Sequence, residues 1–244
     1  MTLPSDMPDD YPWLVGGRRS LLLDQAELAA RIGSFNVYDR RGQVIWFDHF
    51  QSGIAPWLRF EHGTGAAVLL ENGLTYIGGF ALKLRAGSDG AGLAGIEHFF
   101  APAEINRWGV EASVSFLTEF RVFELLMYRF VGSLARVAYI QLNRESNTVV
   151  IFDENLDPVE VSVLSNPIDP FGIYHHLKVV SDFENNNYVR LLYNAQEFDI
   201  SSTSLWNLPA SDIPHQRISL LHYGRAGYND EALVGNVILT VGEP

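Results

Sequence analysis

The chain has 244 residues, with 29 acidic side chains against 17 Lys and Arg, so its formal net charge is −12. This excess of carboxylates argues against a nucleic-acid partner, because phosphate binding requires Lys and Arg. The chain contains no cysteine, which excludes disulfides and thiolate metal sites. Residues 1–33 lack a basic start followed by a long apolar run, and no stretch reaches the length of a membrane span. We therefore expect a soluble protein without a signal peptide, whose localisation is open.

The N-terminal 33 residues predict an extended arm that carries a short helix. Residues 1–17 are rich in Pro, Asp and Gly. A helix can begin at Asp24, with Glu27 three residues later, and end before Gly33. Because so short a helix is not stable alone, it has to pack on the body or on a partner. We divide the chain into this arm, residues 1–33, and one folded domain, residues 34–244.

The rest of the chain predicts many short strands. Residues 39–42 form a turn with Gly at its last position, which favours a hairpin. From residue 66 onward, apolar runs alternate with breaks rich in Gly, Pro, Asn or Asp. These runs are AAVLLE, LTYIGGFALKLRA, GIEHFF, WGVEASVSFLTEF, VFELLMYRF, ARVAYIQLN, TVVIFD, VEVSVL, RISLLHYG and ALVGNVILTV. Short strands without alternating helices predict an all-β sandwich or barrel.

The segment YHHLKVVSDFENNNYVRLLYNAQEFDI predicts three strands joined by two turns. Residues 175–183 form the first strand, with one apolar face and one mixed face. Residues 184–187 form a turn, because Asn tolerates the left-handed backbone of tight reversals. Residues 188–193 form the second strand, in which Val189 and Leu191 share a face. This pattern suits an antiparallel sheet that packs on a second sheet.

Four segments occur in a familiar order: WFDHFQSGIAPW, YIGGFALKLRAG, YHHLKVVSDF and YNDEALVGNVILT. Together, over residues 44–241, they resemble the concanavalin A-like (laminin G-like) jelly-roll sandwiches. The resemblance implies two curved antiparallel sheets, neighbouring termini and a concave face available for binding. Lectins, glucanases, carbohydrate-binding modules and many surface or virion proteins share this fold, so the fold alone does not define the function.

Glu119 and Glu124 are the catalytic candidates that the resemblance offers. Glucanases of this superfamily carry Glu-x-Asp-x-x-Glu on a strand of the concave face, where the outer carboxylates act as nucleophile and acid/base. In this chain Arg121 replaces the middle Asp, and the odd separation of the two Glu residues places them on opposite faces of a regular strand. An Arg between two carboxylates also favours their ionised forms. We therefore expect an ion-paired strand and no enzymatic activity.

Sandwiches of this kind often carry a structural calcium ion between the first and last strands. Asp48 and Asp230 occupy comparable positions, and the backbone carbonyls of Gly78 and Gly79 could complete a set of hard oxygen ligands. Under the alternative interpretation, Asp48 caps a turn and Asp230 is solvated. A structural Ca²⁺ is thus the one cofactor that the sequence suggests.

Aromatic side chains near turns and strand ends are candidates for stacking on sugar rings. They are Trp57, Trp108, Trp206, Tyr223 and Tyr228. Under the alternative interpretation, Trp57 and Trp108 fill the core or cover sheet edges, since sequence does not distinguish an exposed aromatic platform from a buried one.

Three functions follow from these features. The first is a non-catalytic structural or assembly protein, such as a virion surface protein (capsid decoration or tail) or another self-assembling surface protein. Its arm would grip a second copy or another assembly protein. The second is a lectin-like module that binds carbohydrate. The third is a divergent glycoside hydrolase of the glucanase type. The first two agree best with the sequence.

Overall fold

A computed structural model of the chain describes residues 41–76, 79–101, 107–163, 172–194, 196–210 and 213–244. These residues form two antiparallel sheets of eight strands each. The prediction of an all-β, two-sheet sandwich is therefore confirmed. The arm, its short helix and the start of the hairpin turn at residues 39–40 lie outside the described residues. Within the described ranges, no helix has the length and apolar character needed to cross a membrane.

The first sheet is formed by strands from both ends of the described chain. Its strands are β1 (Gln43–Asp48), β3 (Ala67–Glu71), β4 (Ala81–Arg85), β6 (Arg107–Phe116), β11 (Tyr174–Asp182), β12 (Asn187–Tyr193), β13 (Gln196–Asp199) and β16 (Glu231–Val241). Their spatial order is β13-β12-β11-β6-β16-β4-β3, and β1 also pairs with β16.

The second sheet is formed by the remaining strands. They are β2 (Leu58–His62), β5 (Leu93–Phe100), β7 (Val122–Val131), β8 (Leu134–Asn143), β9 (Thr148–Phe152), β10 (Pro158–Val163), β14 (Trp206–Pro209) and β15 (His215–Tyr223). Their spatial order is β10-β9-β8-β7-β15-β5-β2, and β14 also pairs with β8.

The hydrophobic core lies between the sheets, because alternate side chains of each strand point toward the opposite sheet. In β7, Phe123 and Leu125 belong to this core, whereas Leu126 and Tyr128 belong to a separate cluster on the outer face. Full burial of each large apolar side chain contributes roughly 1.5–3 kcal/mol to stability. The same alternation therefore builds the core and leaves a second set of side chains on the outer face of the second sheet.

The three-stranded segment of residues 174–200 forms β11, β12 and β13 as predicted, with Asn186 at a positive φ of 57° in the first turn. One side-chain assignment was wrong. The register shifts between Val180 and Ser181, so that Ser181 pairs with Tyr188. Tyr188 is fully buried in the core, while Val189 is the extra residue of the bulge.

One strand boundary and two whole strands differ from the sequence predictions. Among the described residues of the strand predicted over residues 74–86, only Ala81–Arg85 form a paired strand, β4. The strands β2 and β14 were not predicted as strands at all.

Candidate functional site

The two candidate catalytic glutamates lie in different surroundings. Glu119 precedes β7 and forms a surface ion pair with Arg144, whose Nε lies 2.9 Å from Glu119 Oε2. Glu124 lies within β7, and its side chain points to the outer face of the second sheet, where only 7% of the residue is exposed. The structure therefore does not bring the two carboxylates together as a catalytic pair.

Glu124 is surrounded by hydrogen-bond donors from the neighbouring strands. Tyr139 Oη donates to Glu124 Oε1 at 2.5 Å, and Gln141 Nε2 donates to the same oxygen at 3.2 Å. Tyr223, on the strand at the other side of β7, is a further hydrogen-bonding partner of this carboxylate. We call these four residues the Glu124 cluster. Gln141 lies directly opposite Glu124 on β8, and the two tyrosines lie diagonally, within reach of long side chains.

Burial raises the pKa of Glu124. The three hydrogen bonds oppose this shift, and so does the positive charge of Arg121. Arg121 thus favours the ionised carboxylate as predicted, but removal from water has the larger effect. The Arg121 guanidinium lies 5.7 Å from the centre of the Tyr223 ring and donates to Gly90 O at 3.1 Å. It therefore borders the cluster on its solvent side.

A band of aromatic rings centred on Arg217 follows the Glu124 cluster along the same face. The guanidinium carbon of Arg217 lies 3.9 Å from the centre of the Tyr128 ring, 5.3 Å from that of Phe130 and 5.9 Å from that of Phe99. Its Nη1 lies 3.6 Å from Glu97 Oε2. We call Arg217, Tyr128, Phe130 and Phe99 the Arg217 band. This stacking holds the Arg217 guanidinium over the rings. The side chain of Phe99 remains 43% exposed.

The short strand β14 pairs with β8 and therefore lies beside the Arg217 band on the side of β8. Trp206 and Leu208 are partly buried and pack against the outer apolar cluster of β7 and β8. Trp206 pairs with Val137, next to Tyr139 along β8. Of the predicted ligand-binding aromatics, Trp206 and Tyr223 therefore lie on one continuous face together with Glu124.

The other predicted ligand-binding aromatics lie elsewhere. Trp57 is 4% exposed and donates from Nε1 to Asp48 Oδ2 at 2.8 Å, and Trp108 is 2% exposed within the core. Their selection as surface ligands was wrong, because both side chains point between the sheets. Tyr228 is exposed in the turn before β16, where the Arg225 guanidinium lies 4.4 Å from the centre of its ring.

The predicted calcium ligands are far apart. Asp48 lies opposite Val237 on β16, seven residues along the strand from Asp230, which corresponds to about 23 Å. Asp48 accepts from Phe50 N at 2.7 Å, so it caps a turn. The buried carboxylate of Asp230 accepts from Arg225 N at 2.8 Å and pairs with its guanidinium at 2.9 Å.

The described part of the chain has no group of three or more metal-ligating side chains arranged to hold an ion. Gly79 belongs to this part, whereas Gly78 lies outside the described residues. The separate pairings of the two aspartates therefore give no support to a shared calcium site.

Sequence reasoning missed most of this face. Tyr139 and Gln141 alternate along β8, as Tyr128 and Phe130 do along β7. This i, i+2 spacing of polar and aromatic residues within apolar runs was the available signal. It shows that the residues share a face of a strand, but not which neighbouring strand they meet.

Comparison with known proteins shows the fold and no more. No protein-family model matches the chain, and no curated protein matches its sequence. The solved structure of the cellulose-induced protein Cip1 aligns with a TM-score of 0.54 and 14% identity, covering 80% of this chain and 96% of that protein. An endo-β-1,4-glucuronan lyase from the fungus Trichoderma reesei aligns at 0.53 and 12%, covering 81% and 95%.

A Bacillus subtilis protein of unknown function with a galectin-like fold aligns with a TM-score of 0.51 and 9% identity, covering 82% of this chain and 97% of that one. These alignments show that the chain shares its two-sheet sandwich architecture with these proteins. At such low identity the similarity concerns architecture alone.

Proposed function

We propose that this chain is a non-catalytic carbohydrate-binding module that holds a saccharide on the outer face of its second sheet. The observation that carries the proposal is the juxtaposition, on this one face, of the Glu124 cluster with the aromatic rings of the Arg217 band and Trp206. The fold shared with lectin-like proteins is compatible with this role but does not demonstrate it.

Saccharides present two kinds of surface, and this face offers a partner for each. Hydroxyl groups need donors and acceptors, which the carboxylate of Glu124, the amide of Gln141 and the tyrosine hydroxyls provide. The C–H faces of sugar rings need flat apolar surfaces, which the exposed ring of Phe99 and the partly exposed ring of Trp206 provide at a low cost in conformational entropy. The rings of Tyr128 and Phe130 are buried and hold Arg217 in place. Because the polar groups already hold one another in place, little ordering is required on binding.

The carboxylates on this face favour binding over hydrolysis. Retaining glycosidases place two carboxyl groups about 5–5.5 Å apart. Glu97 also points to this face, but it lies on β5, two strands and about 10 Å from β7. It accepts from Ser219 Oγ at 2.7 Å and faces Arg217, so its oxygens are already engaged. This arrangement supports the assignment of Glu124 to ligand recognition.

The assembly role that the sequence suggests stays a prediction. It rests on residues 1–33 as an arm that grips a second copy, and this segment lies outside the described residues. Removal of the segment should leave a folded domain that no longer oligomerises through it, and light scattering on the truncated protein measures this.

The carbohydrate-binding proposal is tested by tryptophan fluorescence. After a glycan array has identified a saccharide, titration of the full chain should change its emission, because Trp206 borders the proposed site. The Trp206→Phe variant should lose the spectral change. Tyr223→Ala should weaken binding at least tenfold, since it removes a ring and a hydrogen bond to Glu124.

The matched control is Phe80→Ala, which removes an exposed aromatic ring outside this face and should leave affinity unchanged. Absence of binding across a broad glycan array would contradict the proposal. So would equal losses of affinity in the Tyr223 and Phe80 variants.

A further inference from the structure

Among the described residues, the strand β2 forms an open edge of the second sheet. Within the described residues it pairs with β5 on one side and ends the strand order on the other. All five of its residues, Leu58–His62, are exposed. A strand with an open edge presents unpaired backbone N–H and C=O groups, which can pair with another strand.

The outward side of this edge is apolar. Leu58 and Phe60 point to the outer face, because they pair with Glu97 and Gly95 of β5. They are 55% and 39% exposed. Gly95 has no side chain to cover the Phe60 ring. On the adjacent edge of the first sheet, Leu69 and Leu70 of β3 are also exposed. Exposed apolar side chains of this size on a bare sheet edge indicate a contact surface.

The two charges of β2 point to its inward side. Arg59 and Glu61 lie opposite the core residues Ile96 and Ala94. Glu61 Oε1 accepts from Val68 N at 2.9 Å, and its second oxygen accepts no hydrogen bond from the described residues. The side chain of Arg59 makes no hydrogen bond or ion pair with the described part of the chain. Inward-pointing charges normally hinder strand pairing at an edge, unless the incoming strand carries opposite charges in register.

The sequence of β2 supplies those charges itself. When two copies of Leu-Arg-Phe-Glu-His pair antiparallel about Phe60, each Arg59 lies opposite the Glu61 of the other copy. Leu58 then lies opposite His62, and the two Phe60 residues meet at the centre. A parallel pairing in register would place like charges opposite each other, which is destabilising. The charges therefore favour a second copy of β2 that pairs antiparallel in this register.

We propose that β2 is a homodimer interface, at which a second copy of this chain pairs antiparallel through its own β2 and joins the two second sheets into one. A two-fold axis perpendicular to the joined sheet keeps both outer faces on the same side. The two Glu124 clusters then face the same direction. If the proposed function holds, the dimer presents two saccharide sites together and gains avidity for repetitive glycans.

The test is the mass of the full chain in solution, by light scattering at roughly 100 µM, where interfaces of modest area are still populated. The chain mass is 27.3 kDa, so the dimer has twice that, or 54.6 kDa. We expect the dimer for the wild type and the monomer for Arg59→Glu, which places Glu opposite Glu61. The double variant Arg59→Glu, Glu61→Arg restores opposite charges and should restore the dimer.

A second variant checks the centre of the interface. Phe60→Lys places two like charges at the two-fold axis and should give a monomer. The control Leu156→Lys alters an exposed leucine in the turn between β9 and β10 and should stay dimeric. Circular dichroism confirms that each variant is folded.

A monomeric wild type would overturn the proposal. So would a dimer that survives both Arg59→Glu and Phe60→Lys, or a double variant that fails to recover. No saccharide is needed, so failure of the dimer and failure of glycan binding are measured separately.

Discussion

Glu124 is held in surroundings that favour its protonated form, because burial raises its pKa. The folded state therefore binds a proton more readily than the unfolded state, whose glutamate pKa is about 4.3. The contribution of Glu124 to stability is greatest at low pH and is lost as the pH rises above about 4.3 through the raised folded value. The Glu124→Gln variant has no titrating group at this position and does not undergo this loss. Its free energy of unfolding relative to that of the wild type should therefore increase from pH 4.5 to pH 8. Urea unfolding of the wild type and the variant at pH 4.5 and pH 8 measures this difference in stability.

Glu119→Gln is the matched control for that experiment. Glu119 lies in a surface ion pair with Arg144, a type of contact worth at most about 1 kcal/mol. The gain at high pH should be larger for the Glu124 variant than for the Glu119 variant. Equal pH profiles for the two variants would show that burial of Glu124 has no effect on its titration.

At the scale of single residues, some side chains of the candidate site were predictable from the sequence, but the side chains that contact them were not. Glu124 was selected because its motif resembles that of glucanases, and Trp206 and Tyr223 were selected from their positions near turns and strand ends. The structure places all three on one face. Trp57 and Trp108 had the same local pattern but point into the core. Tyr139 and Arg217 acquire their roles from cross-strand neighbours 15 or more residues away in the chain. Local spacing contains no information about such pairs.

The turn that leads into β5 depends on close backbone contact at Gly92. A Cβ atom added there would lie 2.0 Å from Gly87 O, and backbone atoms cannot move aside as a flexible side chain can. Gly92→Ala should therefore destabilise the fold by roughly 1–3 kcal/mol through overpacking. Chemical denaturation of the variant measures this loss.

Gly90, in the same turn, provides the control. A Cβ atom at Gly90 would meet only Ala226 Cβ, at an ordinary contact distance of 3.9 Å. Gly90→Ala should therefore change stability by no more than about 0.5 kcal/mol. If the two alanine variants are equally stable, the tight approach of Gly87 and Gly92 does not constrain the turn.

At the scale of elements, long strands with a buried face were predictable, whereas the short strands β2 and β14 were not. β7, β8 and β16 appear as long runs rich in Val, Ile, Leu and Phe, so their existence followed from composition and periodicity. All residues of β2 are exposed, so no alternation marks it. β14 has four residues and ends at Pro209, which can occur only at a sheet edge or strand end. Its pairing with β8 depends on tertiary contacts that local sequence does not contain.

Two histidines, the fully buried His222 and the partly buried His176, couple the stability of the whole molecule to pH. Burial lowers the pKa of His222, which faces Phe116, Phe120 and Asp230, to about 4. Burial also lowers the pKa of His176 to about 4. Both rings are neutral in the fold but become protonated in the unfolded chain below about pH 6.5. Stability is therefore lost as the pH falls from 6.5 toward 4.

For the fully buried His222 the loss between pH 7 and pH 5 should be about 2 kcal/mol, from 1.5 pH units at about 1.36 kcal/mol each, and the partly buried His176 should contribute less. His222→Leu should remove its share of this dependence, as measured by urea unfolding at the two pH values. His49→Leu, which alters a partly exposed ring stacked on Phe47, is the control. An unchanged pH dependence in the His222 variant would show that this ring is not neutralised by burial.

The location of a bound saccharide tests the account most directly. In an NMR titration of the isotopically labelled chain with a saccharide selected on the array, the side-chain amide of Gln141 and the indole N–H of Trp206 report on the outer face of the second sheet. The side-chain amide of Asn236, buried on the first sheet, provides the reference. Our account predicts shifts for Gln141 and Trp206 and none for Asn236. Shifts confined to the first sheet, or no shifts at a saturating concentration, would contradict it.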